Sequence, residues 1–304
     1  GNVFPASLRA VLMPLLTGAP VLAKASSGDD VLVRRFARAL NQADRAVGAR
    51  LQVVTFGREA IHSLEALLET AEVVSVYSSD RTLRSIQQKL PGGSRLIAHG
   101  HGLGAVYLPA LGVRDHRSAL LLARKVALDV AAYDQRGCLS PHFIYVQQGG
   151  AVSAEHFARM LAEQGLGPLG EELPRGSLGA GAAAAQMQWR GVAAVHGRLF
   201  VGADHAVSYE GCFDPRPSPG GRNVSVYQCS DPEQLLQRLS FYGEHLKALG
   251  VAGDRDQRAQ VAACLRGVVA PRICAVGSMQ KPPLDAFVDG QHPLQGLVRW
   301  IEVE

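Results

Sequence analysis

The stretch DQRGCLSPH, Asp134 to His142, sets a cysteine between a glycine and Leu-Ser-Pro. Cys138 follows a long segment of helical apolar spacing and precedes the β-rich run FIYV, and Gly137 beside it lets the backbone come close to a ligand. A thiolate nucleophile needs an accessible position and backbone donors for the oxyanion of its adduct, which a turn of this kind can supply. By residue type alone a cysteine is as readily a small buried side chain. Cys138 therefore stands open between nucleophile and packing residue.

The elements that must position it follow from periodicity. In the first hundred residues the strand-like runs VLAK (21–24), LQVVTF (51–56), VVSVY (73–77) and RLIAH (95–99) alternate with helical patterns over 29–47, 59–71 and 81–90. Short strands separated by such helices mean βαβ crossovers and a parallel sheet, so the fold class is α/β, with a doubly wound nucleotide-type sheet. After the glycine-rich HGHGLGA, Asp115 can cap a helix that runs to Tyr133. A second α/β region follows: FIYV, a helix over 153–164, an Ala-rich helix start over 179–186 and the strand LFVGA. Beyond these come the loop DPRPSPGG, the strand NVSVY, a helix over 232–249 and a short strand near Ile273. The expected organisation is a dinucleotide-binding domain over 1–103, a catalytic domain over 104–290, and a C-terminal strand within 291–304 that could serve oligomerisation.

Composition narrows the function classes. At 304 residues, 47% hydrophobic and 19% charged, the chain can bury a substantial core. The net charge of +4 is small and its cations are scattered, which argues against a nucleic-acid surface. No apolar run approaches the ~20 residues that cross a bilayer, and the opening lacks a signal-peptide pattern, so a cytoplasmic protein is expected. Five widely spaced cysteines fit neither a disulfide framework nor a zinc site.

Four segments resemble the aldehyde dehydrogenase superfamily, and within it the acyl-CoA or acyl-protein thioester reductase branch that includes the fatty acid reductase of bacterial bioluminescence. GNVFP is similar to a loop whose asparagine, here Asn2, donates its side-chain amide to the oxyanion. LTGAPVLAKASS is similar to a strand and turn whose lysine, here Lys24, holds the adenosine ribose. YDQRGCLSPHFIYV looks like the nucleophile loop, and PRICAVGSMQKPPLDAFVDGQHPLQGLVRW is similar to the branch's ending. The resemblance implies an acyl-Cys138 intermediate, reduced by hydride to an aldehyde. It also implies a sheet whose N-terminal part is missing here, which would favour association into a homo-oligomer.

There is no GxGxxG. In VYSSDRTLRS the pair Ser78-Ser79 lies between strand and helix, where the superfamily's serine meets the pyrophosphate; plain helix capping explains the same residues. Lys24 is followed by Ala-Ser-Ser, and a neutral Ser26 would not repel a 2′-phosphate that Lys24 attracts, so NADPH is the expected cofactor. Where hydrolytic members carry a glutamate, this chain has His99-Gly100-His101-Gly102, so the thioester should await hydride rather than water. His101 or His99 could protonate the departing thiol, or both could serve the turn. No metal is expected, His142 is read as shaping its loop, Glu210 as exposed, and the other cysteines as core.

The first reading is thus NADPH-dependent reduction of a fatty acyl-CoA or acyl-protein thioester. A CoA-acylating aldehyde dehydrogenase, an acyl-phosphate reductase, and an inactive acyl- or nucleotide-binding relative are the alternatives.

Overall fold

The computed structural model describes residues 3, 5–26, 30–57, 59–265, 272–299 and 301–304. The chain divides into two compact units, Gly1–His101 with Pro283–Glu304, and Gly102–Pro282. No helix among the described residues is long and apolar enough to cross a membrane.

The first unit runs α1 (Pro5–Leu16), β1 (Val21–Ala25), α2 (Val31–Ala43), α3 (Arg45–Gly48), β2 (Leu51–Thr55), α4 (Ile61–Thr70), β3 (Val73–Tyr77), α5 (Asp80–Lys89) and β4 (Arg95–His99). β1 pairs with β2 and β3 with β4, both in parallel. Val11, Ala25, Val33 and Leu51 make one small core, and Leu68, Val74 and Ile86 another. The helix expected over 29–47 breaks at Asp44, whose carboxylate leaves α2 to accept the amides of Ala46 and Val47 at 2.8 and 3.0 Å, capping α3.

The C-terminal segment belongs to this unit. Arg95 donates to the carbonyls of Gly296 and Val298, Ile97 packs where a side chain on Gly296 would stand, and His99 bonds Asp289. Residues 95, 97 and 99 share one face of β4 by strand alternation, and that face receives the returning chain. The strand expected within 291–304 is not formed by the described residues there. Backbone groups of this stretch are used by Arg95 instead of by a sheet.

The second unit continues with β5 (Leu103–Leu108), α6 (His116–Ala131), β6 (Pro141–Gln147), α7 (Ala154–Met160), α8 (Gly167–Glu172), α9 (Ala180–His196), β7 (Gly197–Val201) and β8 (Ala206–Glu210). It closes with β9 (Asn223–Cys229), α10 (Pro232–Ser240), β10 (Leu246–Val251), α11 (Arg255–Cys264) and β11 (Ile273–Ala275). The sheet order is β11-β10-β5-β6-β9-β8-β7, parallel except for the antiparallel edge strand β7. One face buries Val106, Ile144 and Val226 against α6 and α7; the other buries Tyr107, Phe143, Tyr145 and Tyr227 against α10 and α11. Central strands covered on both faces lose polar alternation. For that reason β5 and β10 escape a periodicity reading. LKALGV continues the apolar pattern of α10, so the helix expected over 232–249 in fact ends at Ser240, turns at Gly243 (φ +49) and becomes β10.

Asp129 ties α6 to the chain after β11. It is 2% exposed and accepts the amides of Gly277 at 2.5 Å and Met279 at 2.9 Å. Burial nevertheless pushes its carboxyl up to about 6, against those two donors. A folded value above the unfolded one means stability that is full below about pH 4 and is lost as pH rises through 6, up to about 3 kcal/mol. Urea unfolding of Asp129→Asn against the parent should therefore show the variant gaining relative stability between pH 4 and 7; a pH-independent difference would refute this.

Candidate active site

Cys138 is exposed, on a turn closed by the Ser140 amide donating to Gly137 O at 3.0 Å. The turn leaves α6 through Tyr133, Asp134 and Gln135, whose φ values of 54, 52 and 61° put three successive non-glycine residues in the left-handed region. Each such residue costs about 1 kcal/mol or more. Side-chain bonds offset that cost. Gln135, buried, donates through Nε2 to Pro141 O and Asn223 O, both at 2.8 Å, and its Oε1 accepts the Asn223 amide at 2.9 Å. Asp134 accepts Arg222 through Oδ1 at 2.8 Å and the Gly176 amide through Oδ2 at 3.0 Å. Arg222, 2% exposed, also pairs with Asp204 at 2.6 Å and donates to Leu173 O at 2.8 Å. These braces lie within and beyond DQRGC; only the buried use of Gln135 and Asp134, unknowable from type, separates them from ordinary loop polars.

Glycines let β5 approach this turn. A Cβ on Gly102 would lie 2.9 Å from Cys138 Cβ and 2.4 Å from Lys247 Cγ, and one on Gly104 would meet Leu139 O at 2.5 Å. The Gly104 amide donates to Ser140 O at 2.7 Å. The Cys138 turn thus sits at the N-terminal edge of the parallel strands, backed by bare backbone. On the other flank His142 is half-buried, its Nδ1 donating to Ser218 O at 3.0 Å, and desolvation takes its imidazole down to about 4. It holds the DPRPSPGG loop as a neutral group.

The remaining sequence candidates fall in the first unit. Asn2 lies outside the described residues. His99 is held by Asp289, Nδ1 to Oδ2 at 2.8 Å, and stacks on Tyr77 with ring centroids 4.1 Å apart. Asp289 and Gly290, both at positive φ, form a two-residue turn between Val288 and Gln291, the Asp-Gly pairing that such turns favour. His101 is exposed, and its amide donates to Asp80 at 3.3 Å. Ser78 donates its amide to His99 O, and Ser79 caps α5, accepting Thr82 N at 3.4 Å. Lys24 and Ser26 are exposed at the C-terminal end of β1, with Lys24 Nζ 5.2 Å from the Phe56 ring centre. Arg34 donates to Thr55 Oγ1 at 2.6 Å at the same end of β2. An exposed cation at the C-terminal end of a parallel pair fits a nucleotide phosphate.

Two expectations are corrected. Glu210 is buried, because Ser208, Ser225 and Tyr227 hydroxyls at 2.7, 3.1 and 3.3 Å solvate it inside the sheet. It floors a cleft of about 260 Å³ with Trp189, Asp214 and Arg216. Ligating atoms of His196, Glu210 and Asp214 lie within 4.8 Å of one another, with Arg216 already paired to Asp214. Among the other cysteines Cys212 and Cys264 are exposed; Cys229 is buried and Cys274 half-buried, and burial pushes both thiols up, Cys274 to about 11. That makes those two poor nucleophiles at neutral pH.

A family model described as acyl-CoA reductase (LuxC) matches residues 1–300. No curated protein matches the chain. Among solved structures it is similar to an oxidoreductase from Marinobacter aquaeolei, with TM-score 0.72 and 15% identity over 95% of this chain and 63% of that one. An NAD-dependent benzaldehyde dehydrogenase from Corynebacterium glutamicum gives 0.69 and 17%, over 90% and 60%. A bifunctional proline utilization A protein gives 0.67 and 18%, over 88% and 28%. At these identities the likeness shows the fold, that of aldehyde dehydrogenases. The chain spans less than two thirds of each of these structures' length.

Two variants test the braces. Arg222→Met strands Asp134 and Asp204, and loss of one partner of a buried ion pair should cost about 3–5 kcal/mol in urea unfolding. A cost under about 1 kcal/mol would show that Arg222 carries little. His142, depressed from 6.5 to about 4, contributes stability present above pH 6.5 and lost as pH falls toward 4, up to about 3 kcal/mol. His142→Gln should remove that part of the acid sensitivity; unchanged sensitivity would contradict a neutral imidazole there.

Proposed function

The chain belongs to the acyl-CoA reductase (LuxC) family, and from that premise we propose that it reduces an acyl thioester, acyl-CoA or acyl-protein, to an aldehyde through an acyl-Cys138. The observation that carries this reading is the exposed Cys138 turn, braced by Gln135, Asp134 and Arg222 and backed by Gly102.

In this mechanism the Cys138 thiolate attacks the thioester carbonyl carbon and a new carbon–sulfur bond forms. The Cys138 backbone N–H, joined by the Asn2 amide, donates to the oxyanion; one such donor typically supplies about 2.7–4 kcal/mol. The bond to the departing sulfur breaks, and that thiol leaves with a proton. We assign the proton to His99, whose imidazole is oriented by Asp289 and Tyr77, rather than to the exposed His101. His99-Gly100-His101-Gly102 holds no carboxylate to activate water, so the acyl group stays on Cys138.

A nicotinamide cofactor, when bound, supplies the hydride that takes the acyl group to the aldehyde oxidation level. Lys24 would hold its ribose and the N-terminus of α5 at Ser79 its pyrophosphate. Lys24 with Arg34 nearby, and neutral Ser26 in place of an acid, favour NADPH over NADH. Release of the aldehyde breaks the carbon–sulfur bond and restores Cys138.

Intact-mass measurement after incubation with a long-chain acyl-CoA should show one acyl adduct, absent in Cys138→Ser and discharged as aldehyde on adding NADPH. An adduct that persists in Cys138→Ser, or none in the parent, would sink this reading.

A further inference from the structure

β10 does not pair with β5 in simple register: Leu246 stands opposite Leu103 and Ala248 opposite Gly104, so Lys247 is an extra residue between two ladder positions. Such a bulge re-aims the side chain it carries, and bulges recur beside active sites. Lys247 is half-buried although its neighbours Leu246 and Ala248 are fully buried, so its side chain leaves the core at the edge of the sheet. Its direction is set by what it touches. The space a Cβ on Gly102 would fill is bounded by Lys247 Cγ on one side and by Cys138 Cβ and O on the other. Lysine stem and cysteine therefore share one spot that exists only because residue 102 has no side chain. The other cation of this turn, Arg136, is directed to Ser177 O at 3.5 Å.

We propose that Lys247 is a charge-supporting residue for the nucleophile: the bulge brings its ammonium beside the Cys138 sulfur and stabilises the thiolate over the thiol. Adjacent lysine charge is one of the ways a protein raises thiolate content at neutral pH. The inference rests on the reading of Cys138 as nucleophile and adds the group that makes it one. It also gives Gly102 a function, since any larger residue there would part the two side chains.

The test needs no substrate. The protein is alkylated with iodoacetamide at pH 7, and the rate at each cysteine is followed by peptide mass spectrometry, with exposed Cys212 and Cys264 as internal controls. Cys138 should react faster than both in the parent. In Lys247→Met, which keeps the stem and removes the charge, its rate should fall at least about tenfold, one pKa unit of thiolate. Lys247→Arg should keep most of the parent rate, and the controls should not change. A parent rate in Lys247→Met, or equal slowing in the Met and Arg variants, would overturn the proposal, the latter by assigning the effect to stem packing. Fast, lysine-dependent alkylation in a parent that takes no acyl group from acyl-CoA would leave this inference standing and remove the reductase reading.

Discussion

A guanidinium that is 2% exposed must be neutralised where it lies, and the second unit is arranged around that requirement. Arg222 draws Asp134, from the end of α6, and Asp204, from the β7–β8 turn, onto one group just before β9. The ion pair does more than balance charge. Asp134 is the middle residue of the left-handed run that swings the chain from α6 into the Cys138 turn, so the charge buried at Arg222 holds the backbone conformation that exposes the cysteine. Gln135 repeats the logic with neutral bonds, reading the backbone of Pro141 and Asn223 and so fixing the start of β6 against the start of β9.

The consequence is that the Cys138 turn stands at the N-terminal ends of β5, β6, β9 and β10. Open α/β sheets usually bind ligands at the carboxyl ends of their strands. In the first unit Lys24 and Arg34 stand at the carboxyl ends of β1 and β2, while in the second the Cys138 turn stands at the amino ends of its strands. Turns, close glycine backbone and a bulged lysine are the features gathered there.

Legibility in the sequence followed burial geometry. The strands of the first unit are flanked by polar breaks, so VVSVY and RLIAH match β3 and β4 to the residue, and Asp115 caps α6 as its type suggests. β5 was hidden because its glycines resembled a turn, yet Gly104 is in the strand so that Leu139 O can approach. β10 was hidden because a strand buried on both faces has no polar alternation to announce it. At the candidate site, the turn between α6 and β6 that carries Cys138 was legible from its glycine and proline. Glu210 was misjudged because three hydroxyls brought to it by two strands pair only in space, and Lys247 was invisible because a bulge leaves no mark on residue type.

The C-terminal segment shows the same dependence on distant partners. Asp289 is unremarkable in VDGQ, a two-residue turn that needs positive φ at both central positions. Its value comes from β4, where Arg95, Ile97 and His99 face one way and each meets the returning chain. Two of them bind it by backbone or packing, which sets the register that leaves a carboxylate opposite His99. Stacking on Tyr77, its partner across the β3–β4 pair, fixes the ring plane. An imidazole with Nδ1 committed to a carboxylate has Nε2 as its proton-exchanging nitrogen. The contacts of His99 thus depend on residues almost two hundred positions away, which its place in the sequence does not show.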